Sequence, residues 1–134
     1  GAGSVRVIAG DYTGTRGPAR TFSRMNVWDL RLNAGHAPAF DFAEGDTTAL
    51  YVLHGALRVA GQAVREHELA VFERAGSGIA FDVDADAVVL LLNGEPLDEP
   101  IVGHGPFVMN SREEIAQAIR DYSEGRFGHM PPEN

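Results

Sequence analysis

Five histidines, His36, His54, His67, His104 and His129, are the side chains through which this chain could bind a transition metal by nitrogen, and it has no cysteine. An iron or zinc centre needs three or four converging nitrogen, oxygen or sulfur ligands, or two histidines and a carboxylate. Without cysteine, disulfides, thiolate nucleophiles and zinc–thiolate sites drop out together. Each histidine sits in a loop-like stretch or at a strand end, where a lone histidine is more often a surface or cap residue than a ligand. His36, His54 and His104 are the set from which a site could be rebuilt, if the fold brought them to one place. Asp82, Asp84 and Asp86 alternate in a way that could suggest calcium. They lack the glycine and distal glutamate of a calcium-binding loop, and read instead as a solvated turn. Gly14-Thr-Arg-Gly-Pro18 is glycine-rich but lacks the Gly-Lys-Ser/Thr ending of a phosphate cradle. No Gly-x-Ser-x-Gly elbow is present, and the adjacent carboxylates Asp98 and Glu99 fall in a loop.

The elements that must position these residues are short strands. Val5–Ala9, Met25–Leu32, Thr47–Leu53, Leu57–Val59, Leu69–Phe72, Ile79–Val83 and Val88–Leu92 are rich in β-branched and apolar residues. In Met25–Leu32, Trp28, Leu30 and Leu32 share one face, with Val27, Asp29 and Arg31 on the other. Glycine and aspartate clusters separate the runs, including Ala75-Gly-Ser-Gly78 and Asp82-Val-Asp-Ala-Asp86. Strands of this length with frequent turns predict an antiparallel sandwich or barrel. One helix follows. Asn110 and Glu113 are spaced as a capping box, Ile115, Ala118, Ile119 and Tyr122 form one buried stripe, and Gly125 suits a left-handed terminus.

The chain has 134 residues, 44% of them hydrophobic, and a formal net charge of −8. That length suits a single core. The acidic balance opposes phosphate backbones, so no nucleic-acid partner is expected. No apolar run approaches the ~20 residues of a membrane helix, so no membrane partner is expected either. A cytoplasmic location fits the cysteine-free composition. Residues 1–4, Gly-Ala-Gly-Ser, read as a cloning remnant. Residues 5–128 read as one domain and 129–134 as a flexible tail.

Six motifs carry a resemblance. They are Val7-Ile-Ala-Gly-Asp-Tyr-Thr-Gly14, Gly17-Pro-Ala-Arg-Thr21, Leu50-Tyr-Val-Leu-His-Gly55, Leu90-Leu-Leu-Asn-Gly-Glu-Pro-Leu97, Glu99-Pro-Ile-Val-Gly103 and Gly105-Pro-Phe-Val-Met-Asn110. In this order they resemble the C-terminal half of pirins, proteins of two stacked cupin domains. The resemblance implies an all-β fold, a single cupin (jelly-roll, antiparallel β-barrel) domain with one C-terminal α-helix. It also implies that the family's metal, usually iron, belongs to the other, N-terminal cupin. Pirins resemble quercetin dioxygenases or act as nuclear transcription cofactors.

Cupins hold metal through two spaced motifs. The first is Gly, five residues, His-x-His, three or four residues, Glu, six residues, Gly. Anchored on Gly35 and Gly55, its ligand places hold Asp41, Ala43 and Thr48. The second is Pro-x-Gly, two residues, His; anchored on Gly76, it holds Arg74 at the proline place and Ile79 at the histidine place. One carboxylate among apolar neighbours cannot hold a divalent ion tightly, so no bound metal and no cofactor are expected. The same barrel face offers Asp41, Thr48, Leu50, Val52 and Phe81 as a candidate pocket for a small apolar ligand. The leading expectation is thus a metal-free pirin-C-type cupin, more readily a structural, interaction or small-molecule-binding module than an enzyme. Two alternatives stand beside it. One is a small metal-dependent, quercetinase-like cupin built on His36, His54 and His104. The other is a piece of a two-domain pirin whose active site lies upstream. An apolar face left without its companion cupin predicts a homodimer.

Overall fold

The computed structural model describes residues 1–131, so the end of the expected 129–134 tail lies outside the described residues. The chain divides into two compact units, Gly1–Pro96 and Leu97–Asn134.

The first unit is built on an antiparallel sheet. Its strands are β1 (Gly3–Ala9), β4 (Met25–Leu32), β6 (Thr47–Val59), β7 (Gln62–Arg65), β8 (Leu69–Val71) and β10 (Asp82–Gly94). They lie in the order β1-β4-β10-β6-β7, with β8 also pairing β6. Two ribbons stand apart from this ladder. One joins β2 (Asp11–Tyr12) to β3 (Thr15–Arg16), and the other joins β5 (Ala39–Asp41) to β9 (Gly78–Ala80). The fold is all-β and antiparallel, as expected, but its hydrogen bonds form a main sheet with separate ribbons rather than one closed ladder. Gly3 and Ser4 continue β1, pairing with Leu32 and Arg31.

Alternation places Trp28, Leu30 and Leu32 in the core, together with Leu50, Val52, Val89 and Leu91 from the neighbouring strands. Phe40 and Ile79, paired across the β5–β9 ribbon, join the same cluster, so the core lies between the sheet and this ribbon. Trp28, Phe40, Phe42 and Tyr12 pack at ring-centroid distances of 4.9–5.9 Å in tilted or edge-on geometry, the arrangement aromatic quadrupoles favour.

Two of the predicted boundaries are replaced by continuous strands. Thr47–Leu53 and Leu57–Val59 are one 13-residue strand, β6, and the aspartate run 82–86 lies within the equally long β10 instead of forming a turn. Long paired strands must bend to stay on a small core. The bend is made by register shifts around Ala85–Val88, opposite Gly55 at φ +86°. Within β10, Asp84 pairs with Arg58 at 2.6 Å, and Asp86 Oδ1 accepts from the Ala34 N–H at 2.8 Å.

The second unit carries a hairpin, β11 (Val102–His104) with β12 (Phe107–Met109), and the helix α1 (Arg112–Ser123), which packs on both strands. Its capping box is shifted by one residue from the predicted one. Ser111, with extended backbone, accepts from the Glu114 N–H at 3.2 Å, and Glu114 Oε2 accepts from the Asn110 N–H at 3.0 Å. Asn110 is drawn away from capping, because its side-chain amide donates to Pro100 O at 2.8 Å and Glu99 Oε2 at 3.1 Å. Gly125 takes the expected left-handed conformation, φ +72°. The buried stripe is narrower than expected. Ile115 and Ala118 are buried, but Ile119 is 40% and Tyr122 67% exposed. Tyr122 packs edge-on against Phe127, which also meets Phe107.

Candidate functional site

The positions where a cupin would place its metal ligands do not converge as donors. Asp41 ends β5 and is exposed, and Ala43 has no donor atom. Thr48 is buried near the start of β6, with its hydroxyl accepting from Asn93 Nδ2 at 2.9 Å. Ile79 is an apolar core residue. Among the described residues, no group of three or more His, Cys, Asp or Glu is placed to hold a metal ion. His36 Nδ1 lies 3.2–3.3 Å from the carbonyls of Ala34 and Asn33. His54 Nδ1 lies 2.9 Å from Glu66 Oε2. His104 stands on β11 in the second unit, opposite Phe107. The donor set present in this chain therefore does not fit a cupin iron.

The glutamate place of the motif has been absorbed into a polar network. Asn93 Nδ2 donates to Thr48 Oγ1 and, at 3.3 Å, to Asp46 Oδ2. Asn26 Nδ2 donates to Asn93 Oδ1 at 2.9 Å, and Asn26 Oδ1 accepts from the Asp11 N–H at 3.1 Å. The Arg24 guanidinium clamps both oxygens of Asp46, at 2.7 and 2.6 Å, the bidentate geometry that suits a planar fork. Asp46, Thr48 and Asn93 are all buried, so every bond here replaces one to water. Three strand ends converge to build the network. Asn93 near the end of β10 is flanked in register by Asn26 of β4 and Thr48 of β6.

The Arg24 hydrogen bonds hold the Asp46 carboxyl below its ordinary range, against the opposing effect of burial, with Asn93 adding to the lowering. The same pairing raises the Arg24 guanidinium. A carboxyl with a depressed folded-state pKa stabilises the fold fully above its unfolded value, near 3.8. That stabilisation is lost as pH falls through the lower folded-state value. Urea unfolding below pH 4 should therefore show the Asp46→Asn variant losing less stability on acidification than the parent. Parallel acid profiles would mean that the clamp does not operate.

Beside this network opens a cleft of about 620 Å³, lined by Asp11, Arg16, Arg24, Asn26, Asp41 and Phe42 among others. Of the five residues in the expected pocket, Asp41 lines this cleft. Leu50, Val52 and Phe81 are packed in the core, and Thr48 belongs to the network. Sequence reasoning passed over Arg24, Asn26, Asp46 and Asn93. The available signal was Asn93, a polar residue closing the apolar run Val88–Leu92. Its partners lie 45 to 67 residues away, with nothing local to mark them.

Comparison with known proteins fits this architecture. The family model for the pirin C-terminal cupin domain matches residues 27–128. A Pseudomonas aeruginosa protein named "Putative quercetin 2,3-dioxygenase" is 50% identical over 126 residues, covering 94% of this chain and 44% of the relative. Human pirin is 32% identical over 133 residues, covering 93% and 45%. A crystal structure of quercetin 2,3-dioxygenase from Acinetobacter baumannii superposes with a TM-score of 0.89 at 40% identity, covering 97% of this chain and 46% of that one. The chain thus spans a little under half the length of these relatives. With its motifs in order, its ligand frame emptied of imidazoles and most of its length matched, the chain belongs to the pirin C-terminal cupin domain family.

Proposed function

We propose that this chain acts as the C-terminal-type cupin of a quercetin 2,3-dioxygenase-like pirin, a supporting half whose metal chemistry belongs to a second cupin. The observation that carries this reading is the pairing of two facts. Relatives with that name match the chain at 40–50% identity over less than half their own length. The ligand places 41, 43, 48 and 79 hold a lone exposed carboxylate, an alanine, a committed hydroxyl and an isoleucine. A cytoplasmic setting, which suits a chain without cysteine, is part of the same reading. The direct test compares the chain alone with a longer protein in which it is joined to the N-terminal half of the Pseudomonas relative. Supplied with Fe(II), Ni(II) or Cu(II), the chain alone should neither consume oxygen with quercetin nor retain an ion per chain, whereas the joined protein should do both. Turnover by the chain alone, lost in His54→Ala or His104→Ala, would overturn this and favour a free-standing metal-dependent cupin.

Self-association through the outer face of the main sheet is a second proposal. Register places Val71, Ala49 and Leu92 in one row across β8, β6 and β10, with Leu69, Tyr51 and Leu90 in the next. Val71 is 66% and Leu69 54% exposed, and Leu53 and Leu92 are exposed as well. An apolar face of this kind is commonly covered by a second copy. Sedimentation at tens of micromolar should find a dimer that Val71→Lys dissociates. A parent that is monomeric at high micromolar concentration would refute it.

A further inference from the structure

The hairpin–helix unit holds an open groove of about 420 Å³ between α1 and β11. Arg112, Ile115, Ala116 and Ile119 line it from the helix, and Val102 and His104 line it from the strand. The helical residues stand at i, i+3, i+4 and i+7, so they share one face. Arg112 and Ile119 lie about 10 Å apart along the helix axis. The helix returns along the hairpin. Val102 pairs with Met109, just before the helix begins, and His104 pairs with Phe107 at the hairpin tip. Phe107 meets Phe127, which meets Tyr122 at the far end of α1. Arg112 therefore stands at one end of the groove and His104 toward the other, with an apolar floor between them. That floor is left open, since Ile119 is 40% exposed although it continues the stripe of Ile115.

The chain carries 19 acidic residues, yet none lines this groove, whereas Asp11 and Asp41 line the larger cleft of the first unit. Arg120 bonds to Gln117, and Arg126 pairs with Asp121 and Glu124, but Arg112 has no such partner among the described residues. His104 likewise lacks the kind of partner that His36 and His54 each have. Arg112 also sits in the first turn of α1, where a cation opposes the helix dipole. Ser111 caps that end of the helix, so the groove offers an anion the Arg112 side chain rather than free amides. We propose that this groove binds an aliphatic dicarboxylate of the length of adipate. One carboxylate takes the Arg112 fork, the methylene chain lies on Ile115, Ala116 and Ile119, and the other carboxylate accepts from the His104 imidazole N–H. The proposal is independent of the preceding readings, since it needs no second cupin, metal or dimer. Competing ligands match less of the groove. A monocarboxylate leaves His104 unused, a compact oxyanion leaves the apolar floor bare, and a diamine meets two basic groups.

Titration of the nitrogen-15-labelled chain with adipate at low ionic strength, where exposed charges are least screened, should shift the Gly103 and Ala116 amide signals to saturation. Hexanoate, oxalate and hexanediamine should each bind at least fivefold more weakly. His104→Ala should bring adipate down to the affinity of hexanoate while leaving that of hexanoate within twofold. Arg112→Gln should raise Kd for adipate at least fivefold with the melting temperature unchanged or higher, whereas removing a merely structural arginine would lower it. Equal affinity for adipate and hexanoate, or an affinity indifferent to Arg112→Gln, would overturn the proposal. So would Gly103 and Ala116 signals that move on dilution and not with adipate, an outcome that would assign the groove to a second copy of the chain. None of these readouts depends on whether the joined protein oxidises quercetin.

Discussion

Gly55→Val should lower the free energy of unfolding by about 3 kcal/mol or more, enough to leave a domain of this size largely unfolded on mild heating. Two costs combine at this position. The residue holds φ +86°, where a β-branched side chain is strongly disfavoured. A Cβ would also overlap the carbonyl oxygen of Asp86 and lie 2.8 Å from Ala87 Cα, both backbone atoms of the paired strand. Relief requires β6 and β10 to separate where their register shifts, and these two strands form the middle of the sheet. Gly61→Ala separates the two costs. Gly61 has φ +80° but no atom within 4 Å of a built Cβ, so only the conformational penalty of about 1–2 kcal/mol should appear. Thermal melts of both variants provide the comparison, and equal losses would show that the close approach at Gly55 is not what restricts it.

Leu50→Ala should cost about 2–5 kcal/mol, the range for truncating a fully buried aliphatic side chain. Leu50 is 0% exposed, lies in the first part of β6 and pairs with Leu91 of β10 and Ala70 of β8. It is also one of the positions from which a ligand pocket was expected, so the experiment distinguishes packing from pocket. If Leu50 is core, calorimetry will record the loss of stability. Stability unchanged within about 0.5 kcal/mol, the scatter of surface substitutions, would mean that Leu50 faces a space already able to accommodate its loss.

The strand Met25–Leu32 was legible to the residue, because its apolar alternation sits between polar segments and needs no distant partner to define it. Gly125 as helix terminus was legible for the same reason, since the left-handed turn is a local requirement. The capping box was not. Asn110 and Ser111 are both good caps with an acid three residues on, and a distant pair of acceptors at Glu99 and Pro100 decides between the two frames. The aspartates at 82, 84 and 86 misled because charge density resembles a turn, whereas Arg58 and the Ala34 N–H give two of them partners along a strand. Ile119 follows the helical period of Ile115 and Ala118, but periodicity assigns a face without limiting how much of it is covered.

The sequence by itself determined the antiparallel all-β class, the single helix, the family and the emptied ligand frame. Each of these depends on residue type at short, countable spacings. Tertiary structure decided which polar residues meet. Asp46, Thr48, Asn93, Asn26 and Arg24 are scattered through the chain and become one network only when β4, β6 and β10 align their ends. It also decided that Trp28 would be buried with its indole Nε1 unpaired among the described residues, since the packing of a hairpin against a ribbon has no signature in either segment alone. Local patterns set backbone class because they act through neighbouring dihedrals and alternating faces. Sites arise from long-range register, which a chain settles only on folding.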